Sequence, residues 1–465
     1  MGQALEDAAY SAAFEVLLIS TYELGRQPFG LASPAAWLRR AGFEVRCADL
    51  AVQELPREAL VKADLVAFFV PMHTATRLCV PIISQVKEHN PGAHICCYGL
   101  YAPANAGYLR GLGVETLLGG EFETGLVELC RHLARAESIS HKPPLVFLDR
   151  QAFLVPDRVD LPDLSHYARL HNGTASPVTT GYTEASRGCK HHCRHCPVVP
   201  VYRGKFRVVQ QEVVLQDVRQ QVAAGAEHIT FGDADFFNGI GHAVPLVEAL
   251  HRQHPDLTYD VTIKVQHLLD HAEYLPLLRA TGCAFVTTAV ESIDDQVLEI
   301  LDKGHTRADF VRSVLLCRRL DLILNPTLVA FTPWTLLDDY LELLALLVEM
   351  DLVDQVAPIQ LGIRLLIPAA SKLLELEQVQ SLIGPFDEVR LSYVWEHPDP
   401  RMDQLHHQVM ALIEEGTRVG ASRRAIFTEI WNCAHLHREA GACGAELHFA
   451  RPAATIPFLT EPWYC

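Results

Sequence analysis

No apolar run in the 465 residues approaches the roughly 20 needed to cross a bilayer. The N-terminal stretch MGQALEDAAYSAAFEVLLIST has acidic residues where a secretory leader would carry basic ones. The sequence therefore predicts a cytoplasmic chain with no membrane contact. Positive charge is also scarce, with 39 Lys and Arg against 56 Asp and Glu and a net charge of −17. Such acidity repels phosphate backbones, so no nucleic-acid partner is expected. Charged residues are only 20% of the chain while hydrophobic residues are 49%, which excludes a disordered or collagen-like protein. There is no fixed-period repeat and no low-complexity tract. At roughly 100 to 200 residues per domain the length predicts about three domains. Cysteine, by contrast, is plentiful: there are thirteen. The total is odd and the spacing is no disulfide framework, so in a reducing compartment metal binding or catalysis comes before cross-linking.

Short apolar runs alternate with amphipathic segments from Phe14 onward. The runs at 15–21, 43–50, 64–70, 93–100 and 114–120 read as strands with helical spacing between them, a pattern that specifies a parallel sheet covered on both faces. Residues 1–134 are thus expected to form a doubly wound, Rossmann-like α/β domain. Residues 135–178 are rich in proline and turn formers and read as a linker. A second series occupies 179–368, with strands expected at 178–186, 227–232, 257–264, 283–290, 322–331 and 358–367, which predicts a partial (β/α)6 barrel of the TIM type. Residues 369–465 are expected to be a small, mainly helical region with helices at 371–382, 401–416 and 422–438.

Directly after the first barrel strand lies TEASRGCKHHCRHCPVVPVYRGKFR, in which Cys189, Cys193 and Cys196 are spaced CxxxCxxC. Three thiolates on one loop can ligate three irons of a cubane cluster and leave the fourth iron open. A structural zinc site normally closes with four ligands, and His191, His192 or His195 offer a fourth, so a zinc module stands as an alternative. Three unrelated core cysteines would sit in apolar sequence, which this is not.

A CxxxCxxC loop opening a (β/α) barrel resembles the radical S-adenosylmethionine (SAM) enzymes. SRGC with its downstream Pro and basic residues is similar to the subgroup with an N-terminal cobalamin-binding-like domain. The resemblance implies a [4Fe-4S] cluster on Cys189, Cys193 and Cys196, SAM on the open iron, and cobalamin as a further cofactor if the first domain binds it. FGDADFF (231–237) resembles the subgroup's turn after the second strand, which makes Asp233 and Asp235 candidates to hold the cofactor. TIKVQHLL (262–269) places Lys264 where a basic residue faces it. TTAVES (287–292) is similar to a GVES segment with Ala289 in place of Gly, which adds Glu291 and Ser292. LEILDKGHT (298–306) resembles the helix and Lys-Gly turn that follow. Taken singly, an Asp after a strand is commonly only a helix cap and a Glu at a strand end only solvated. Arg187 and Lys190 are candidates to favour the reduced cluster.

In the first domain GGEFE (119–123) resembles the GEGE turn of cobalamin-binding domains, yet a DxHxxG loop with its cobalt-ligating histidine is absent. His73, Tyr98 and Tyr101 are alternative members of a substrate pocket. The last residues, IPFLTEPWYC, resemble the tail of a small radical SAM group that ends Cys-Cys-Ala-Glu-Pro or carries selenocysteine second. On that resemblance Cys465 is a catalytic chalcogen of a pair interrupted at a recoded stop codon, a possible selenoprotein. Cys433, in a helical stretch, reads as an unrelated thiol. The expected activity is radical modification of a small molecule or peptide, by methyl transfer if cobalamin binds, with electrons from a flavodoxin or ferredoxin. A tRNA- or protein-modifying radical SAM enzyme and a non-catalytic metal-binding module are the alternatives.

Overall fold

The five apolar runs near the N-terminus are too short for core helices, and a strand buried on both faces is the form that hides every residue of such a run. All five are strands in the computed structural model, which describes residues 14–136, 145–173, 176–438, 447–449, 454 and 456–460. The order is β1 (Glu15–Ser20), α1 (Phe29–Arg40), β2 (Glu44–Asp49), α2 (Arg57–Lys62), β3 (Leu65–Phe69), α3 (His73–His89), β4 (His94–Tyr98), α4 (Tyr101–Ala104), α5 (Ala106–Gly111), β5 (Thr116–Gly120), α6 (Phe122–Ala134) and β6 (Val146–Phe147). The strands pair in parallel in the order β2-β1-β3-β4-β5-β6. Side chains alternate between two core layers, one holding Leu18, Ala67 and Tyr98, the other Ile19, Phe68 and Cys97. Tyr98 is therefore a core residue: its ring is fully buried and its hydroxyl donates to the Gly30 carbonyl at 2.9 Å. It lines no substrate pocket. His73 opens α3 with its ring 6.5 Å from that of the buried Tyr101. In the GGEFE turn both acids are buried, and Glu123 accepts hydrogen bonds from Ser33 Oγ at 2.6 Å and Gln151 Nε2 at 2.8 Å.

The chain forms two compact units divided between Tyr167 and Ala168, with 212–217 counted in the first. The stretch expected to be a linker is structured where it is described. β6 adds a sixth strand to the first sheet, and β7 (Arg169–His171) pairs antiparallel with β8 (Val178–Thr183) of the second.

In the second unit β8, β11 (His228–Phe231), β12 (Thr258–Thr262), β13 (Cys283–Glu291) and β14 (Leu324–Leu328) run parallel, while β9 (Ser186–Gly188) and β10 (Phe206–Val208) form a separate hairpin. Helices α7 (Val198–Tyr202), α8 (Gln211–Ala223), α9 (Ile240–Gln253), α10 (Val265–Asp270), α11 (Leu275–Ala280), α12 (Asp295–Ile300), α13 (Arg307–Arg319) and α14 (Leu337–Glu349) follow the strands. The expected sixth strand at 358–367 does not form. Pro358–Leu361 is a 3₁₀ turn, and only a parallel bridge between Phe331 and Arg364 continues the sheet. Proline at 358 offers no N–H and Gly362 follows the turn, which leaves two bonds, Phe331 N to Ile363 O at 3.0 Å and Leu365 N to Phe331 O at 2.8 Å. The result is a curled, partial barrel whose strand carboxyl ends carry the loops.

Beyond it come α15 (Glu377–Gln380), a hairpin of β15 (Ile383–Asp387) and β16 (Ser392–Trp395), then α16 (Pro400–Arg418) and α17 (Arg423–Leu436). The hairpin is an addition to the mainly helical region expected from sequence. Among the described residues no helix is long and apolar enough to cross a membrane.

Candidate metal centre

The cysteine loop leaves the carboxyl end of the sheet through Gly188. Its φ is +78°, and a Cβ there would stand 2.4 Å from Tyr202 Cδ1 and 2.5 Å from Lys205 O, so only glycine makes this exit without strain. Two ties fix the loop. Asn238, itself buried, accepts from the Lys190 amide at 3.2 Å and lies 3.9 Å from Cys189 Sγ. Arg194 reaches the end of α12, where its Nη1 donates to the carbonyls of Glu299 at 2.9 Å and Ile300 at 2.8 Å, and its amide donates to Leu301 at 2.9 Å. Helix carboxyl ends leave such carbonyls without partners, and a guanidinium there also meets the negative pole of the helix.

So held, Cys189 and Cys193 are buried and Cys196 half-buried. Burial pushes the Cys196 thiol up to about 12, with Cys193 and Cys189 adding to the rise and Lys303 opposing it. Burial raises Cys189 as well. Cys189 and Cys196, which resist ionisation, become thiolates only with strong positive charge at hand. A cubane cluster supplies that charge, and the three sulfurs on one short loop fit three of its irons.

Lysines surround this loop. Lys264, at the amino end of α10, is buried with its Nζ 3.6 Å from Cys193 Sγ. Lys303 is also buried, and Nζ stands 3.2 Å from Glu291 Oε1. The same oxygen lies 3.2 Å from His195 Nε2. Burial alone would raise the Glu291 carboxyl, but Lys303 and His195 hold it below the usual carboxylate range. Its backbone has φ 67° at a register break in β13, a left-handed conformation that a β-sheet residue adopts only when its surroundings impose it. His305, nearby, is pushed down to about 4 by burial and by the charges of Lys303 and Lys264.

The other proposed cofactor holders also make bonds within the chain. Asp233 accepts from Ser186 Oγ at 2.5 Å and from the Ala185 amide at 2.9 Å, which builds the turn between β8 and β9. Burial pushes its carboxyl up to about 7 against the pull of those two bonds. Asp235 caps the 236–239 turn through Phe237 N at 3.3 Å, and its other oxygen faces His191 and His267. Ser292 Oγ accepts from the Asp294 amide at 3.0 Å and shapes the entry to α12. Lys264 and Glu291 thus converge on the cysteine loop, while Asp233 and Ser292 shape backbone. Arg187 pairs with Glu184 at 2.7 Å, and Lys190 lies 5.0 Å over the Phe206 ring. Cys433 is half-buried in α17, with Sγ 3.2 Å from Gln408 Oε1. Cys443 and Cys465 lie outside the described residues.

Sequence alone assigns no role to Asn238, Arg194, Lys303 or His305, and offers His195 only as a fourth ligand of the alternative zinc site. LDKGHT carries Lys303 and His305, but nothing local shows that a lysine twelve positions after Glu291 folds back onto it.

Residues 183–347 match the family model of the radical SAM superfamily. The curled sheet and its cysteine loop are thus a radical SAM domain. The chain is 28% identical over 334 residues to the hopanoid C-3 methylase of Methylococcus capsulatus, covering 67% of this chain and 63% of that protein. It is 26% identical over 259 residues to a tRNA-2-methylthio-N(6)-dimethylallyladenosine synthase of Moorella thermoacetica, covering 51% and 52%. The chain therefore spans between half and two thirds of the length of these relatives. Among solved structures, the cobalamin-dependent SAM radical enzyme OxsB with aqua-cobalamin bound superposes with a TM-score of 0.71 over 91% of this chain and 72% of that one at 14% identity. The radical SAM methyltransferase TsrM from Kitasatospora setae, with tryptophan substrate and a SAM analog bound, superposes with a TM-score of 0.58 over 73% and 72% at 19% identity.

Proposed function

We propose that this protein is a cobalamin-dependent radical SAM enzyme that modifies a small molecule or peptide, by methyl transfer. The observation that carries the reading is the trio Cys189, Cys193 and Cys196, buried on a loop at the strand carboxyl ends with Lys264 Nζ 3.6 Å from Cys193 Sγ. When bound, the cluster and SAM supply one-electron chemistry that ends in a carbon radical. The chain's own residues do the rest. Gly188, Asn238 and Arg194 fix the loop. Lys264 and Lys303 place positive charge beside the sulfurs, which favours thiolate and the more negative state of whatever they hold. Glu291, kept ionised by Lys303 and His195, presents a fixed anion at the end of β13 where a cationic group of the cofactor can dock. Cobalamin is supported by the doubly wound unit and by the relatives that use it, and the absence of a DxHxxG loop implies binding without a histidine ligand from that loop.

The relatives named for methyl transfer, a hopanoid C-3 methylase and a methyltransferase with tryptophan as substrate, favour a small molecule over RNA. The net charge of −17 points the same way against the tRNA synthase relatives. A small flavin- or iron–sulfur-containing electron carrier in the cytoplasm would supply the electron.

The deciding experiment is anaerobic purification with iron, sulfide and cobalt analysis, followed by chemical reduction with SAM. About four irons per chain and reductant-dependent SAM cleavage, both lost in Cys193→Ala, are expected. Intact SAM after reduction of cluster-loaded protein would overturn the enzyme reading, and cobalt-free protein that cannot be loaded with hydroxocobalamin would remove the methyl-transfer part.

A further inference from the structure

One group of donors beside the cysteine loop is not needed by the cluster. Asp235 is fully buried, and its Oδ2 lies 3.3 Å from His191 Nε2 and 2.7 Å from His267 Nδ1. None of the three atoms has a hydrogen-bond partner of acceptable geometry, although each is shielded from water. The distances suit hydrogen bonds but the angles do not: the carboxylate oxygen lies off the line in which each ring nitrogen would point a proton.

That off-axis approach has a direct chemical meaning. A ring nitrogen and a carboxylate oxygen bound to one ion, each about 2.1 Å from it and about 80 to 105° apart, lie roughly 2.7 to 3.3 Å from each other. The nitrogen then aims at the ion and not at the oxygen. Leaving three buried polar atoms unsatisfied would cost about 1–3 kcal/mol apiece, a cost that one shared cation removes. Cys189 Sγ also lies within 4.8 Å of both the His191 and the Asp235 donor atoms. A thiolate has more than one lone pair, so Cys189 can bridge a cluster iron and a neighbouring ion.

The geometry points to a second metal site: His191, Asp235 and His267 hold a single first-row divalent ion of the iron-to-zinc class, next to Cys189. Two imidazoles and one carboxylate are the donor set such ions take with coordination positions left over. The ion joins three separate segments, the cysteine loop, the turn after β11 and helix α10. His267 is set for this by its neighbours, with the His191 ring 4.7 Å away on one side and the His271 ring 5.5 Å away on the other. This site goes beyond the proposed function and can fail without it, because SAM cleavage and cluster content are read separately.

The test titrates Co2+ alone into the anaerobically reconstituted full chain, follows the visible d–d bands, and counts retained cobalt per cluster-bearing chain after desalting. Hydroxocobalamin is omitted so that all cobalt counted is the added ion. One Co2+ per chain is expected, with affinity at least about tenfold weaker in His267→Ala and in Asp235→Asn. His267→Asp, which keeps a donor, is expected to restore binding, and His271→Ala, which removes only a ring contact, to leave it intact. Absence of a bound equivalent in the unmodified protein, or equal binding in His267→Ala, overturns the site. If His267→Ala does not retain its cluster, His267→Asp decides: cobalt bound beside a full cluster supports the site, and a full cluster without cobalt overturns it.

Discussion

Lys264 Nζ stands 3.6 Å from Cys193 Sγ, with both side chains buried. A cation held that close to a proposed cluster ligand, away from water, would stabilise the reduced over the oxidised state. At an effective dielectric of about 20 a unit charge about 5 Å away is worth about 3 kcal/mol, before the partial screening that a polar site provides. Lys264→Met removes the charge at nearly the same length. The reduction potential of the reconstituted protein is expected to fall by on the order of 50–100 mV, about 59 mV corresponding to a factor of ten for one electron. A redox titration followed by electron paramagnetic resonance measures this. An unchanged potential with a full complement of iron would show that the lysine does not act on the cluster.

Arg194 should matter to the cluster without touching it. Its two side-chain bonds to the end of α12 are charge-assisted, the part-buried one to Ile300 worth about 1.5–3 kcal/mol and the exposed one to Glu299 less. Arg194→Ala is expected to lower thermal stability and, more diagnostically, to speed iron loss to a chelator, because the loop between Cys193 and Cys196 loses its anchor. Arg194→Lys, a single point donor that cannot bridge both carbonyls, should fall between the two.

Gly188→Ala tests the exit into the loop. The added carbon meets the Tyr202 ring and the Lys205 carbonyl at the distances given above, and φ +78° disfavours any side chain by about 1–2 kcal/mol even without them. The expected result is a folded second unit with reduced iron after reconstitution, read by far-UV circular dichroism alongside iron analysis. Iron content equal to that of the unmodified protein would mean that the loop accommodates the change.

Much of this architecture was legible in the sequence because burial imposes simple patterns. The first five strands and five of the barrel strands sit within two or three residues of their apolar runs, since a run buried on both faces has little choice of form. PIQLGIRLLI looked the same and is not a strand, because Pro358 and Gly362 break it where apolarity alone does not show. IGPFD carries Gly384 and Pro385, so the β15–β16 hairpin was hidden behind residues that usually mark turns. At the centre, the cysteine spacing named the loop, and the resemblance of TIKVQHLL and TTAVES to family segments named Lys264 and Glu291. His195, Lys303 and Asn238 were out of reach, since each acts on a residue 12 to 96 positions away and nothing local distinguishes it from surface. Asp233 is ambiguous for the opposite reason: its place after a strand fits cofactor binding and turn-building equally, and its bonds to Ser186 and Ala185 show the second.

His305 gives the molecule a pH dependence that a single substitution isolates. Neither ring nitrogen has a hydrogen-bond partner, and the residue is only 6% exposed. Burial first, and then the charges of Lys303 and Lys264, push it down to about 4 from an ordinary value near 6.5. Because the folded value is the lower one, the unfolded chain binds the proton first as pH drops. Stability is therefore intact above about pH 6.5 and falls progressively toward pH 4. Between pH 7 and pH 5 the loss from this one group is about 2 kcal/mol. Urea unfolding of the full chain at both pH values should show that drop in the unmodified protein and a smaller one, by about 2 kcal/mol, in His305→Leu. Depressed carboxyls such as Glu291 and Asp309 titrate lower, and other buried histidines are common to both proteins, so the difference between the two drops belongs to His305. Equal drops would mean that the imidazole is charged or hydrogen-bonded in the folded state, with Lys303 and Lys264 screened from it.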